Sequence, residues 1–239
     1  MVICGKTNQL GETMKKRYYS AVIFDVDGLL LDTERLTCTI WQQISKEYEC
    51  HLSDELYQSF IGRTRSDTEG LLLGAFGPDF PVEEAYEKRT TYFIDYAKKN
   101  GLPQKPGVDV LLNYLAEMSV PVCVATSAGN DVAELKLKSG GLARYFDKVV
   151  TGDDVSEGKP SPDIFMKAAG KMQIDPEKCV VIEDSVAGIF AAKRANMIPI
   201  MVPDIVYPEP EVKKMTLVVL HSLKSVKKYI QNNMAYKTQ

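Results

Sequence analysis

Asp25 and Asp27 stand two residues apart at the end of a short apolar run, Ala21 to Phe24, and Gly28 follows them. A run of that length reads as a buried strand. Side chains alternate along a strand, so the spacing predicts that the two carboxylates share one side. Gly28 lets the chain turn sharply away. Two unpaired carboxylates at the end of a buried strand repel each other and resist desolvation. Such a pair asks for a cation, and hard oxygen ligands suit Mg²⁺. Taken alone, the segment also reads as an Asp-Gly turn with incidental acids.

Further polar groups recur just after apolar runs. Thr126-Ser127 follow Val120–Ala125, and Gly152-Asp153-Asp154 follow Val149-Val150. Gly158-Lys159-Pro160-Ser161-Pro162-Asp163 come next, and Glu183-Asp184-Ser185 follow Val180–Ile182. One strand end with a polar residue is ordinary, but four that together carry a carboxylate pair, a hydroxyl, a lysine and a second acid pair form a site hypothesis. The chemistry that fits is phosphoryl transfer. Asp25 would attack phosphorus and form an aspartyl-phosphate. Asp27 would protonate the leaving oxygen and later deprotonate the attacking water. Asp184, with Glu183 beside it, adds carboxylate charge for Mg²⁺. Lys159 supplies a fixed positive charge, and the Thr126 hydroxyl can donate to a phosphoryl oxygen.

The elements that must position these groups are legible. Thr33 to Cys50 has helical period, with Leu36, Ile40, Trp41 and Ile44 on one stripe. Further helices are predicted at Ser53–Phe60, with Ser53 as N-cap, and at Arg65–Leu73 and Val82–Lys98. Asn100 to Gly107 reads as a linker. Beyond it strands and helices alternate to the end, with near-continuous apolar strands. That implies an α/β fold: a three-layer, Rossmann-like parallel sheet covered on both faces, with ligands bound beyond the carboxyl ends of the strands. The intervening helices form a small all-α bundle. The expected organisation is an N-terminal extension over 1–17, a core built from 18–36 and 106–239, and a helical cap over 37–105. Met14 reads as an alternative start.

The chain has 239 residues, 45% of them hydrophobic, enough for one sizeable core with an insert. A formal charge of −3, with both signs interspersed, gives no support for nucleic acid or an acidic membrane as partner. Lysines near 213–214 and 227–228 read as solvated helix faces. Five cysteines without Cys-x-x-Cys spacing argue for a reducing compartment and against zinc. The two histidines, His51 and His221, have no metal-like neighbours. No segment approaches a membrane span, and Met1 to Gly5 are too short for a signal peptide. The expectation is a cytoplasmic protein, with a composition that permits a monomer.

With these residues in place, the chain resembles haloacid dehalogenase superfamily phosphatases that carry a helical cap after the first strand. Asp25-Val26-Asp27-Gly28, with Asp32-Thr33-Glu34, resembles the first motif, and Val122 to Ser127 the second. Lys159 in Gly-Lys-Pro-Ser-Pro-Asp resembles the third, and Glu183-Asp184-Ser185 with Ala187-Gly188 the fourth. The resemblance implies Asp25 as nucleophile and Asp27 as acid/base. It implies Mg²⁺ held by the Asp25 carboxylate, the Asp27 backbone carbonyl and Asp184, with Glu183 assisting. Thr126 and Ser127 would meet the substrate phosphate. Asn130 stands where relatives place a polar residue near substrate, though capping its own helix explains it equally.

The subfamily resembled is that of β-phosphoglucomutase and phosphatases of sugar phosphates or nucleotide-like monophosphates. The mutases of this group carry a histidine where this chain has Thr37, and a lysine before the cap-loop glycine, where this chain has Ile61 before Gly62. Arg65 matches a cap arginine that reaches substrate phosphate; the bland reading of Arg63 and Arg65 is surface charge. Because Asp27 is present, dehalogenation is disfavoured. Hydrolysis of a small phosphate ester is the expected activity, hexose-phosphate mutase the alternative, and a non-catalytic phosphometabolite-binding protein the third reading.

Overall fold

The computed structural model describes residues 16–61 and 65–238. After a short strand, β1 (Arg17–Tyr19), the chain enters β2 (Ala21–Phe24). Four helices precede the next strand: α1 (Thr33–Glu47), α2 (Asp54–Gln58), α3 (Arg65–Phe76) and α4 (Val82–Asn100). Alternation then begins with α5 (Val108–Glu117), β3 (Val122–Ala125), α6 (Asn130–Ser139), β4 (Val149–Val150) and α7 (Asp163–Met172). It continues through β5 (Cys179–Glu183), α8 (Val186–Arg194), β6 (Ile198–Met201) and α9 (Pro210–Met215). The chain closes with β7 (Val218–Val219), α10 (Leu223–Asn233) and β8 (Met234–Tyr236).

Six of these strands form one parallel sheet in the order β4-β3-β2-β5-β6-β7. β2 is apolar without interruption because both its faces are covered. Val22 and Phe24 pack toward Leu111 and Leu115 of α5 and Val226 and Ile230 of α10. Ala21 and Ile23 face the opposite core, with Phe165 and Ala168 of α7 and Ala191 of α8. From β2 the order runs outward to β4, then returns to β5 on β2's other side. That reversal opens a crevice at the carboxyl ends of β2, β3 and β5, where open sheets of this kind bind ligands.

The four helices α1 to α4 pack on one another through apolar side chains that run on into the core of the sheet. Ile40, Trp41 and Ile44 are buried, and the Trp41 ring meets Tyr86 of α4 edge-on with centroids 5.1 Å apart. Ser53 caps α2 by accepting from the Leu56 N–H. The two segments that join this block to the core lie side by side. The Lys105 N–H donates to the Leu30 carbonyl (2.9 Å), and the Asp32 N–H to the Pro103 carbonyl (2.8 Å).

Three elements were not anticipated. β1 and β8 pair in parallel outside the main sheet, Arg17 opposite Met234 and Tyr19 opposite Tyr236. Each has three residues, too short for a period-2 pattern to stand out. Of the extension expected over 1–17, only Lys16 and Arg17 are among the described residues, and Arg17 already belongs to β1; Met14 lies outside them. Helix α9 was signalled only by Pro210 at its first turn.

Candidate active site

β2 ends at Phe24, so Asp25 and Asp27 lie beyond the strand and alternation does not bring them together. A tight loop does. The Leu30 and Leu31 N–H groups both donate to the Val26 carbonyl, each at 3.0 Å, and the Gly28 N–H donates to the Leu31 carbonyl. Gly28 holds φ at +72°, and a Cβ there would stand 2.2 Å from Asp184 Oδ2. Only glycine both turns the chain and leaves the second acid pair its place.

Lys159, from the loop before α7, enters the crevice between carboxylates. Its Nζ donates to Asp25 Oδ1 (2.5 Å), Glu183 Oε1 (2.7 Å) and the Ala125 carbonyl (3.1 Å). The Lys159, Asp25 and Glu183 side chains are all buried. Glu183 is fixed from its other oxygen by the Ser185 N–H (2.7 Å) and hydroxyl (2.9 Å). A Cβ at Gly188 would stand 1.8 Å from Glu183 Oε1, so the first turn of α8 must carry glycine there.

Asp25, Glu183 and Asp184 each bring a ligand oxygen within 4.8 Å of the others. The three share one ammonium. Burial, reinforced by Glu183 and Asp27 and opposed by Lys159, pushes Asp25 up to about 7. Desolvation and the charges of Glu183 and Asp25 raise Asp184 well above the usual carboxylate range. Burial disfavours the Lys159 charge, but Asp25 and Glu183 outweigh it and raise its pKa. Oxygen-only donors with more negative charge than Lys159 balances suit a hard divalent cation such as Mg²⁺.

Asp27 has its own partners. Thr33, at the start of α1, donates its hydroxyl to Oδ1 (2.6 Å), and Lys136 of α6 donates to Oδ2 (2.6 Å). Desolvation opposes the Asp27 charge, but the Lys136 ammonium and the two hydrogen bonds overcome it and hold the carboxyl below its ordinary value. Lys136 also lies 5.5 Å from the Phe93 ring of α4, so it bridges the catalytic loop and the helical block. The sequence reading missed it, since a helix lysine is ordinarily solvated. The available signal was its place in the buried stripe of Ala133, Lys136 and Leu137. Glu34, named in the first motif without a role, receives the Tyr57 hydroxyl (2.9 Å), and burial together with the nearby Asp27 charge raises its pKa. Lys136→Met keeps the chain length but removes the charge that orients Asp27. It should lower kcat by on the order of 10–100-fold, less than the roughly 10²–10⁴-fold that general acid–base catalysis supplies, because Asp27 itself remains, with near-normal far-UV dichroism. Unchanged kcat in steady-state assays would show that Asp27 does not depend on it.

The remaining expected residues are distributed unevenly. Thr126 is buried at the end of β3, and its hydroxyl accepts from the Ala128 N–H (3.2 Å). Ser127 is exposed beside it, and its carbonyl leaves no room for a Cβ at Gly152. Asn130 does not cap α6, which corrects one of its two readings. Gly129 holds the cap position, Asp153 Oδ2 accepts the Asn130 N–H (2.7 Å), and the Asn130 side chain accepts from the Thr151 hydroxyl (2.8 Å). Arg65 is not gathered with the carboxylates. Its side chain is 54% exposed, pairs with Glu69 and Glu83, and lies over the Tyr86 ring. Gly62 and Arg63 lie outside the described residues.

The comparisons with known proteins agree with this geometry. The family described as haloacid dehalogenase-like hydrolase matches residues 22–202. A phosphorylated carbohydrates phosphatase of Thermotoga maritima is 32% identical over 181 residues, covering 74% of this chain and 82% of the relative. A validoxylamine A 7'-phosphate phosphatase of Streptomyces hygroscopicus subsp. limoneus is 32% identical over 182 residues, covering 75% and 83%. The crystal structure of a family hydrolase from Deinococcus radiodurans R1, with bound phosphate and sodium, superposes with a TM-score of 0.76 at 26% identity. It covers 90% of this chain and 96% of that one. With the family match spanning most of the chain, and Asp25, Lys159, Glu183 and Asp184 gathered at the carboxyl ends of the central strands, the chain belongs to the haloacid dehalogenase-like hydrolases and acts on phosphoric monoesters.

Proposed function

We propose that this hydrolase is a Mg²⁺-dependent phosphatase of a small sugar, polyol or nucleotide-like monophosphate, working through an aspartyl-phosphate on Asp25. The observation that carries the proposal is the division of labour between the two first-loop acids. Asp25 shares Lys159 with Glu183, whereas Asp27 is held apart on Thr33 and Lys136.

In the first half-reaction an Asp25 carboxylate oxygen bonds to phosphorus, the bond to the leaving oxygen breaks, and Asp27, which must first take up a proton from solvent against the pull of Lys136, gives that proton to the leaving oxygen. In the second, Asp27 takes a proton from water, the water oxygen bonds to phosphorus, and the acyl-phosphate bond breaks to return the Asp25 carboxylate. Lys159 anchors Asp25 and faces the charge on the phosphoryl oxygens. Thr126 and Ser127, just beyond β3, would donate to that group. Mg²⁺, when held by the Asp25 carboxylate, the Asp27 carbonyl and Asp184, neutralises phosphoryl charge. Glu183, engaged by Lys159 and Ser185, positions these groups from behind.

The mutase alternative requires an aspartyl-phosphate that outlives reorientation of a bisphosphate. Thr37 and Ile61 offer Asp27 no titratable partner that could withhold it from water. Incubation with β-glucose 1-phosphate, a trace of the 1,6-bisphosphate and Mg²⁺ tests this, beside a screen of sugar, polyol and nucleotide monophosphates. Free phosphate should accumulate from at least one monophosphate and stop when Mg²⁺ is chelated. Interconversion of the hexose phosphates without phosphate release would establish the mutase instead. Among the described residues no helix is long and apolar enough to cross a membrane, and Cys38, Cys50, Cys123 and Cys179 are free thiols. The free thiols fit a reducing setting.

A further inference from the structure

Asp204, in the loop after β6, belongs to none of the motifs. Its side chain is 3% exposed. Oδ1 accepts from Lys105 Nζ (2.6 Å) and from Arg35 Nη1 (2.7 Å). Lys105 lies on the segment returning from the helical block, and Arg35 on the first turn of α1 just after the outgoing segment. Asp32, on that outgoing segment, pairs with the same two cations, at 2.6 Å from Arg35 and 3.6 Å from Lys105. One buried carboxylate of the core therefore ties both linkers down.

Its second oxygen is different. Oδ2 is buried and has no hydrogen-bond partner. A buried, unpaired carboxylate oxygen is costly and calls for an explanation. Its direction supplies one. A Cβ at Gly28 would stand 3.4 Å from Asp204 Oδ2 and 2.2 Å from Asp184 Oδ2, so both oxygens border the same small space above the Gly28 backbone. Asp184 is one of the three residues that converge for a cation.

We propose that Asp204 is a positioning residue that joins the cap hinge to the metal centre: Oδ1 clamps the two linkers, and Oδ2 accepts a hydrogen bond from a water ligand of the cation held by Asp184 and Asp25. The assignment rests on the reading of the carboxylate cluster as a Mg²⁺ site. Partners of this kind behind a metal's direct ligands typically contribute about 10–100-fold to affinity.

Calorimetric titration of the full chain with MgCl₂ tests it. Asp204→Asn should weaken Mg²⁺ binding about tenfold or more. Asp204→Glu keeps the charge but displaces both oxygens, so it should weaken binding too; it also serves if the Asn variant does not fold. Lys105→Met breaks the clamp and leaves the carboxylate, so it should loosen the cap in solution scattering while Mg²⁺ affinity stays at or above that of the parent. Parent-like affinity in both folded Asp204 variants would overturn the inference. So would an equal loss in Lys105→Met, because the effect would then travel through the hinge. A parent chain that binds no Mg²⁺ would instead remove the metal reading itself.

Discussion

Asp25→Asn should abolish turnover, with kcat lowered by at least about 10⁴-fold, the scale on which loss of a covalent nucleophile is felt. The amide keeps the shape of the side chain and can still meet Lys159, but it is neutral and a poor nucleophile. The fold should persist, because the substitution removes one of the charges crowded around a single ammonium. Two measurements check the mechanism together. Steady-state hydrolysis should vanish, and intact-protein mass spectra after acid quench should lose the one-phosphoryl adduct that the parent chain shows. Near-normal activity in a sequence-verified sample would exclude Asp25 as nucleophile.

Lys159→Met should be nearly as damaging to turnover, and it should also destabilise the protein. Among the described residues Lys159 is the one ammonium bonded to Asp25 and Glu183, and its side chain is 6% exposed. Removing one partner of a buried pair typically costs about 3–5 kcal/mol, because the other charge is left uncompensated. The sign of the pH dependence follows. Asp25 is already pushed up to about 7, and loss of the ammonium pushes it further. A carboxyl with a raised value in the folded state binds its proton more readily folded than unfolded. The variant should therefore be least stable in alkaline buffer and regain stability as the pH falls through its further-raised folded value toward the ordinary carboxylate range. Mg²⁺ should raise its melting temperature more than that of the parent. A variant as stable as the parent at pH 8 would show that the three carboxylates are not held against one another by this lysine.

The fold was largely legible because β2, β3, β5 and β6 are apolar runs between amphipathic helices, and the run alone tells a strand buried on both faces. Helix α6 runs from Asn130 to Ser139 and stops at Gly140-Gly141, a signal plain in the sequence. The pair β1–β8 did not come out, since a three-residue strand gains its meaning only from a partner more than two hundred positions away. At the site, the residues that follow strand ends were recoverable from local spacing. Lys136 and Asp204 were not. Each sits on a helix or loop where a charged residue is unremarkable, and each acquires its role from a contact across the fold. Asn130 shows the converse error, since its local pattern suggested a cap that Asp153, from another loop, supplies.

The two linkers hydrogen-bond to each other where they leave and rejoin the core, Leu30 to Lys105 and Asp32 to Pro103. The chain thus exits and returns through one narrow seam, and the separation of its two ends does not depend on how many residues lie between them. An ancestral core could exchange one insert for another, longer or shorter, without shifting Asp25, Lys159 or Asp184. Innovation in what is recognised and preservation of how the ester is cleaved are then separable heritable traits, recorded in different stretches of one gene.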